Sequence, residues 1–279
     1  MSFAEKVQST VETWHASSLA KYLQCGEAYR RRYIEKDYTP STTSQIRGSA
    51  VHRAIGSGMI EQQRLQAPAP VELFQDVAAS QVDLARRAGA TLTQEESTIG
   101  VAKVFGALKD VAVAYAGGYA TQVASSIEPI AVERTVTVTG VIPDVHLKGT
   151  IDLVDRTPME ACGETIRDAK TTERTPQDHV ADTSDQLTMY ALFRQAEAPS
   201  PEPRPVSLDF LIRRKSGAIE HKRLTSMRGP QDYAVLTRRI QMASQGLRAG
   251  IFLPSNPATD WWCSEKFCPY WTSCPYVNP

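Results

Sequence analysis

The sequence lacks any apolar run approaching the roughly 18 residues that a membrane-spanning helix requires, so a membrane span is excluded. It also lacks net charge: 31 basic and 31 acidic residues leave a formal charge of zero. No global basic field therefore draws in a polyanion, and any such site must be local. Two runs could supply one, Arg30 to Arg32 with Lys36 nearby and Arg213 to Lys215, although a solvated face is the commoner explanation of a basic run. The opening "MSFAEKVQST" lacks the apolar core of a secretory signal, which points to the cytoplasm. There is no internal repeat. An even set of cysteines is missing as well. The five present are Cys25, Cys162, Cys263, Cys268 and Cys274, and an odd count in a reducing compartment argues against a disulfide framework and for metal or cluster ligation.

At 279 residues the chain can bury a sizeable core, as one large domain or a domain with a subdomain. From Ser17, "SSLAKYLQCGEAYRRRYI" spaces Leu19, Tyr22, Leu23, Tyr29 and Tyr33 as on a helix, with Ser17 or Ser18 as cap and Gly26 as an interruption beside Cys25. Helical patterns follow near 47–65, with His52 beside the face of Val51, Ile55 and Met59, and over 70–88 and 94–120. Beyond Ile127 the texture changes to β-branched runs. "IAVERTVTVTG" and "VHLKGTIDLVD" read as antiparallel neighbours joined by the turn in "GVIPD", and "ETIRDAKTT" reads as a third strand. "DQLTMYALFRQA" returns to helical periodicity, "APSPEPRP" is a surface loop, "VSLDFLIRR" and "AIEHKRLT" form a hairpin, and a long helix covers about 230–249.

Side chains alternate across a strand, so Ile166, Asp168 and Lys170 share one face and Arg167 and Ala169 the other. Asp152 lies on the neighbouring strand with Thr150 and Val154. If the strands pair in register, two carboxylates and one ammonium converge. Clustered carboxylates repel and are costly to desolvate unless a cation sits between them, and Mg²⁺ or Mn²⁺ suits oxygen ligands. A metal there, with Lys170 orienting or deprotonating water, fits phosphodiester hydrolysis. A bare D-x-K occurs by chance in many proteins, and an ordinary strand end at Asp152 and Asp155 with an exposed Asp168–Lys170 pair is the bland alternative.

Six blocks in order change that balance: "SSLAKYLQCGEAYRRRYI", "RGSAVHRAI", "GTIDLVD", "RDAKTT", "DQLTMYAL" and "CSEKFCPYWTSC". In them the chain resembles the PD-(D/E)XK nuclease superfamily, in its RecB-like branch, which includes the iron-sulfur exonucleases of CRISPR systems and the AddB helicase-nuclease subunit. The resemblance implies an α/β (α+β) fold: a restriction-endonuclease-like core with a mixed central sheet flanked by helices, an N-terminal helical part and a cysteine-rich C-terminal segment. It divides a single domain, 1–279, into a mainly helical 15–125 with Cys25 and His52, a catalytic sheet core at 126–250 and a cluster segment at 251–279. His52, Asp152 and Asp168 match the family's metal-binding residues, with Ala169 offering its backbone carbonyl. Lys170 matches the catalytic lysine, and Gln186 and Tyr190 match the Q-x-x-x-Y motif, whose spacing puts both on one helical face. Glu133 corresponds to an acid often seen on the preceding strand. Pro143–Asp144 spells the family name but falls in a turn, and the aligned acid is Asp152.

Cys263, Cys268 and Cys274 follow C-x4-C-x5-C, with Cys25 near the other terminus. Four thiolates suit either zinc or iron-sulfur. The one-plus-three split resembles the [4Fe-4S] arrangement of the branch named above, expected to be structural, with Trp261, Trp262, Phe267, Tyr270 and Trp271 as its shield or as ordinary core. Cys162 is left as a free thiol. The resemblance implies a metal-dependent DNA exonuclease acting on single strands or ends, within a DNA-processing complex of recombination, repair, phage or CRISPR context. An RNA nuclease, or a non-catalytic iron-sulfur DNA-binding or scaffold subunit of the same fold, is the alternative.

Overall fold

A computed structural model describes residues 12–157 and 159–277, so the N-terminal stretch read above for a leader lies outside the described residues. The chain divides into two compact units, one of residues 40–136 and 150–230 and the other of residues 1–39, 137–149 and 231–279.

The larger unit begins with four helices, α3 (Thr43–Leu65), α4 (Val71–Ala88), α5 (Gln94–Ile99) and α6 (Val101–Gln122). Helix α3 starts at a capping box: Thr42 Oγ1 accepts from Gln45 N–H at 3.3 Å and Gln45 Oε1 accepts from Thr42 N–H at 2.9 Å. The expected helix over 94–120 is two helices. Gly100 has φ 95°, a conformation a helix interior cannot hold, and it parts α5 from α6.

Strand β2 (Pro129–Ile142) and strand β3 (Val145–Arg156) are joined by the two-residue turn Pro143–Asp144, and both run through the two units. In the larger unit β3 pairs antiparallel with β4 (Glu164–Thr172), β4 pairs parallel with β5 (Arg204–Arg213), and β5 pairs antiparallel with β6 (Ile219–Arg228). Helix α7 (Asp185–Glu197) makes the crossover that a parallel β4–β5 pair needs. The core joins Val51, Ala54, Ile55 and Met59 of α3 to Phe74 of α4, Ala112, Tyr115 and Tyr119 of α6, and Leu153, Ala169 and Leu211 of the sheet. Each fully buried aliphatic of this set contributes about 1.5–3 kcal/mol relative to exposure. The architecture is the mixed sheet flanked by helices that the sequence led one to expect.

The smaller unit holds β1 (Glu12–Trp14), parallel to the start of β3, and the helices α1 (Ala16–Gln24) and α2 (Gly26–Tyr29), the latter running into a π-helical turn at Arg30–Ile34. Helix α8 (Pro230–Arg248) belongs to it from Gln231 onward. Trp14 stacks on Tyr29 at 5.5 Å between ring centroids and donates its indole N–H to Ser244 Oγ at 2.9 Å. Two of the three arginines in the Arg30–Arg32 run are engaged within the fold. Arg30 pairs with Glu27 and Glu35, while Arg31 pairs with Glu27 and donates to Ser273 Oγ and O, both at 2.7 Å. Among the described residues no helix is long and apolar enough to cross a membrane.

Candidate active site

The register that sets Leu153 against Arg167 and Val154 against Ile166, carried one residue further, brings Asp152 opposite Asp168. Alternation then gives Asp168 and Lys170 a common face. Asp168 is buried, 1% exposed, and Lys170 Nζ lies 2.6 Å from its Oδ2. The bland reading of an exposed pair is therefore excluded.

His52 enters from the middle of α3, with Nδ1 3.2 Å from Asp152 Oδ2. Helix α7 supplies the remaining polar groups. Its N-cap, Ser184, accepts from Leu187 N–H at 3.2 Å, and the four-residue spacing of Gln186 and Tyr190 sets both on one face. Gln186 Oε1 accepts from Lys170 Nζ at 3.0 Å, Gln186 Nε2 donates to Tyr190 Oη at 2.8 Å, and Tyr190 Oη donates to Asp152 Oδ1 at 3.4 Å. Asp152, Tyr190, Gln186, Lys170 and Asp168 thus form one polar chain around the acids.

Burial raises the Asp168 carboxyl and the neighbouring Asp152 charge raises it further, against the pull of Lys170. Asp152 moves the other way. Burial opposes its charge, but the contact with His52 and the adjacent Asp168 carboxyl outweigh that and hold it below its ordinary value. Burial also opposes the His52 imidazolium, yet the hydrogen bond and charge of Asp152 leave its pKa raised. Two like groups pushed apart in this way mark a site built for a cation or a shared proton.

A family profile of the PD-(D/E)XK nuclease superfamily matches residues 13–275. The chain belongs to the PD-(D/E)XK nuclease superfamily. Among solved structures, a Eubacterium rectale protein provisionally described as an exonuclease is similar in fold, with 10% identity over 92% of this chain and 87% of that chain and a TM-score of 0.51. The protein SSO0001 aligns over 98% of this chain and 92% of that chain at 13% identity, with a TM-score of 0.42. No curated protein matches the chain.

Superfamily members are metal-dependent nucleases, and the residues here fit a divalent ion. His52, Asp152 and Asp168 offer ligand atoms that all lie within 4.8 Å of one another. Asp168 Oδ1 is buried without a hydrogen-bond partner, and Oδ2, though close to Lys170 Nζ, is not in hydrogen-bond geometry with it. A carboxylate left so is costly unless a cation takes up its lone pairs. One nitrogen and two carboxylates suit Mn²⁺ or Mg²⁺. His52 and Asp152 line a small pocket together with Ala169, Glu133, Gly56, Arg167 and Asp209.

Glu133, expected as an acid of the preceding strand, lies at this PD-(D/E)XK site, whereas its backbone conformation, the role of Gly56 and a charged network behind the site were not expected. Glu133 holds φ 49° inside β2, a left-handed conformation that only strong surroundings maintain, and burial with the Asp152 charge raises its carboxyl. A Cβ on Gly56 would come 2.8 Å from Glu133 Oε1, so glycine there makes room for the acid. Behind the site, Arg167 Nε donates to Asp155 Oδ2 at 2.7 Å and Nη1 lies 3.6 Å from Asp209 Oδ2, while His221 Nε2 and Arg223 Nε each contact Asp209 Oδ1 at 2.7 Å. Asp155 is thus no ordinary strand end. Asp155 on β3 and Arg167 on β4 are charged positions in neighbouring strands, but Asp209, His221 and Arg223 come within reach only through the strand order.

In the smaller unit Cys25, Cys263, Cys268 and Cys274 line one cavity with Glu27, Ala28 and Tyr270. Cys25 caps α2, its Sγ accepting from Ala28 N–H at 3.5 Å and from Ser255 N–H at 3.5 Å. Gly26 permits this closure, because a Cβ there would lie 2.6 Å from Leu253 N. Burial raises the Cys263 and Cys268 thiols, and the nearby cysteines add to it. Cys162 stands apart, its thiol donating to Glu164 O at 3.2 Å.

Proposed function

We propose that the protein is a metal-dependent DNA exonuclease of the RecB-like branch, akin to the iron-sulfur exonucleases of CRISPR systems and the AddB nuclease domain, acting on single strands or DNA ends. The reading rests on the convergence of His52, Asp152, Asp168 and Lys170 with the Gln186–Tyr190 pair. His52, Asp152 and Asp168, with the carbonyl of Ala169, would hold Mg²⁺ or Mn²⁺. When bound, such an ion polarises the phosphodiester and acidifies water beside it. Lys170 would orient the attacking water or take its proton in the neutral amine form, and in the ammonium form would offset charge growing on the phosphate oxygens. Gln186 fixes the amine through Oε1, so the nitrogen keeps one position while its charge changes. Tyr190, whose hydroxyl burial keeps protonated, positions Asp152.

Four thiols around one cavity support a [4Fe-4S] cluster on Cys25, Cys263, Cys268 and Cys274, with zinc as the other candidate. The one-plus-three split of the four cysteines along the chain is the feature that favours the cluster over zinc, in a structural role.

The decisive experiment incubates the protein with end-labelled single- and double-stranded DNA in Mg²⁺, Mn²⁺ or chelator, beside Asp168→Ala and Lys170→Ala. Metal-dependent shortening from ends, lost in both variants, is expected. Cleavage surviving both variants overturns the site, and binding without any cleavage leaves a scaffold subunit instead.

A further inference from the structure

The carboxyl end of β4 carries a cluster of positive charge that the catalytic reading does not use. Two residues past Lys170, Thr172 O accepts from Tyr115 Oη of α6 at 2.8 Å. Arg47 of α3 lays its guanidinium over that tyrosine, 5.8 Å from the ring centroid. Its Nε is buried without a hydrogen-bond partner, and its Nη1 reaches Glu173 Oε1 at only 3.4 Å, a carboxylate whose side chain is 58% exposed. The register Thr172 opposite Ile212 brings the end of β5 alongside, and both the charge and the backbone of Arg213 act on the Tyr115 hydroxyl. Among the described residues Arg213 makes no ion pair. Arg214 follows, donating from Nη1 to Thr175 Oγ1 at 3.1 Å while its Nε holds Glu220 at 2.7 Å.

Three cations (Arg47, Arg213 and Arg214) thus meet two acids (Glu173 and Glu220) here, and Arg174 and Lys215 adjoin them in sequence. Arg47, with its Nε unpartnered and an exposed carboxylate at 3.4 Å as its anionic contact, keeps donor capacity for a second anion. Its place is informative. The carboxyl ends of parallel strands form the crevice where α/β proteins take ligands. Thr172 lies about 6.6 Å along the strand from Lys170, two residues at about 3.3 Å each. A nucleic-acid strand carries a phosphate about every 3.4 Å of its axis when stacked, so a phosphate one or two steps from the scissile one falls at this distance.

We propose that Arg47 and Arg213, with Tyr115 as the platform that orients Arg47, form a binding subsite for a backbone phosphate next to the scissile position of a polynucleotide. The assignment rests on the nuclease reading above. The two arginines are binding residues that set strand register and touch none of the reacting atoms. DNA and RNA strands share this backbone chemistry.

Binding is measured with fluorescein-labelled single strands of DNA and of RNA of matched sequence, in Asp168→Asn protein, over a series of salt concentrations. Each lost phosphate contact flattens the plot of log affinity against log salt by about 0.7 for a single strand. Arg47→Gln/Arg213→Gln should therefore lower the slope by about 1.4 on whichever strand the parent binds, with affinity down tenfold or more, while Arg47→Lys keeps the slope. Arg213→Gln alone, away from the Tyr115 stack, gives half the change should the double variant fold poorly. In turnover the arginine variants raise KM and leave kcat within about threefold, as loss of uniform binding requires. A parent that binds with the full slope while the double variant keeps it overturns the subsite alone. A parent that binds neither strand overturns the nuclease reading with it.

Discussion

Lys170 Nζ lies 2.6 Å from Asp168 Oδ2, one pleat along the same strand, with the carboxylate fully buried and the amine 35% exposed. In the metal-free chain the amine is the principal partner of that acid. A cation on the acids would free Lys170 from this duty, and Gln186 Oε1, which accepts from it at 3.0 Å, would remain as its partner. Lys170→Met keeps the stem and removes the amine. Cleavage should fall by about 10²–10⁴, the range of a general acid–base group, while Mn²⁺ binding persists. Single-turnover rates beside metal titration check it, and equal loss of both would assign Lys170 to metal binding instead.

Burial, with the Asp152 charge adding, pushes Asp168 up to about 7 from its ordinary 3.8. The folded chain therefore keeps a proton that the unfolded chain releases, and without metal its stability declines as pH rises through about 4 to 7. A divalent ion must displace the same proton. Apparent Mn²⁺ affinity should fall at least about tenfold per pH unit below about 7, and more steeply where the His52 imidazolium, its pKa also raised, must lose its proton too. Calorimetric titrations at several pH values test this, and a flat profile would show that Asp168 is not the protonated ligand.

Asp168→Asn separates the two roles of that carboxyl. The amide carries no charge to bury, so the metal-free variant should be more stable than the parent at neutral pH by about 1–2 kcal/mol, the usual scale of trading a functional group for stability. It should have no measurable cleavage. Thermal melts in chelator decide it, and a lower melting temperature would mean that the Lys170 pair stabilises the fold more than burial costs.

The same alternation that makes this pair made it legible. "ETIRDAKTT" folds as β4 over Glu164–Thr172, and Asp168, Lys170, Gln186 and Tyr190 meet because strand and helix periods fix which side chains share a face. The cysteines were legible by type and spacing. What periodicity cannot carry is which strands become neighbours: Asp209 stands beside Ala169 only because β5 pairs parallel with β4. Nor does it show where a backbone approach demands glycine. Nothing in "HRAIGSGM" distinguishes Gly56, which clears Glu133, from Gly58, which clears a ring.

Gly48 and Gly58 lie on the same helix and should respond oppositely to alanine. A Cβ on Gly48 meets nothing within 4 Å, so Gly48→Ala should gain about 1 kcal/mol of helix propensity. A Cβ on Gly58 would lie 2.1 Å from Phe74 Cζ, and Phe74 is fully buried. Overpacking there should cost about 1–3 kcal/mol and outweigh the same propensity gain. Denaturant melts of the two variants measure both signs, and stabilisation by Gly58→Ala would mean that the α3–α4 contact is loose.

Cys25 does two jobs that serine and alanine separate. Its Sγ caps α2 and faces the cavity shared with Cys263, Cys268 and Cys274. Cys25→Ser keeps an acceptor at the cap but removes a soft ligand, whereas Cys263→Ala removes a ligand without touching a cap. If the cap were the larger effect, Cys25→Ser would melt like the parent and Cys25→Ala well below it. If the bound centre dominates, Cys25→Ser and Cys263→Ala should lose visible absorption and iron alike and melt several degrees lower, because the binding energy of a structural centre is folding energy. The second outcome is expected. Burial and the neighbouring cysteines raise the Cys263 and Cys268 thiols, a cost to their thiolate forms that a cationic centre would offset. Cys162→Ser should behave as the parent. Anaerobically purified protein with zinc and no colour would replace the cluster with a zinc site, and protein with neither metal would remove the centre altogether.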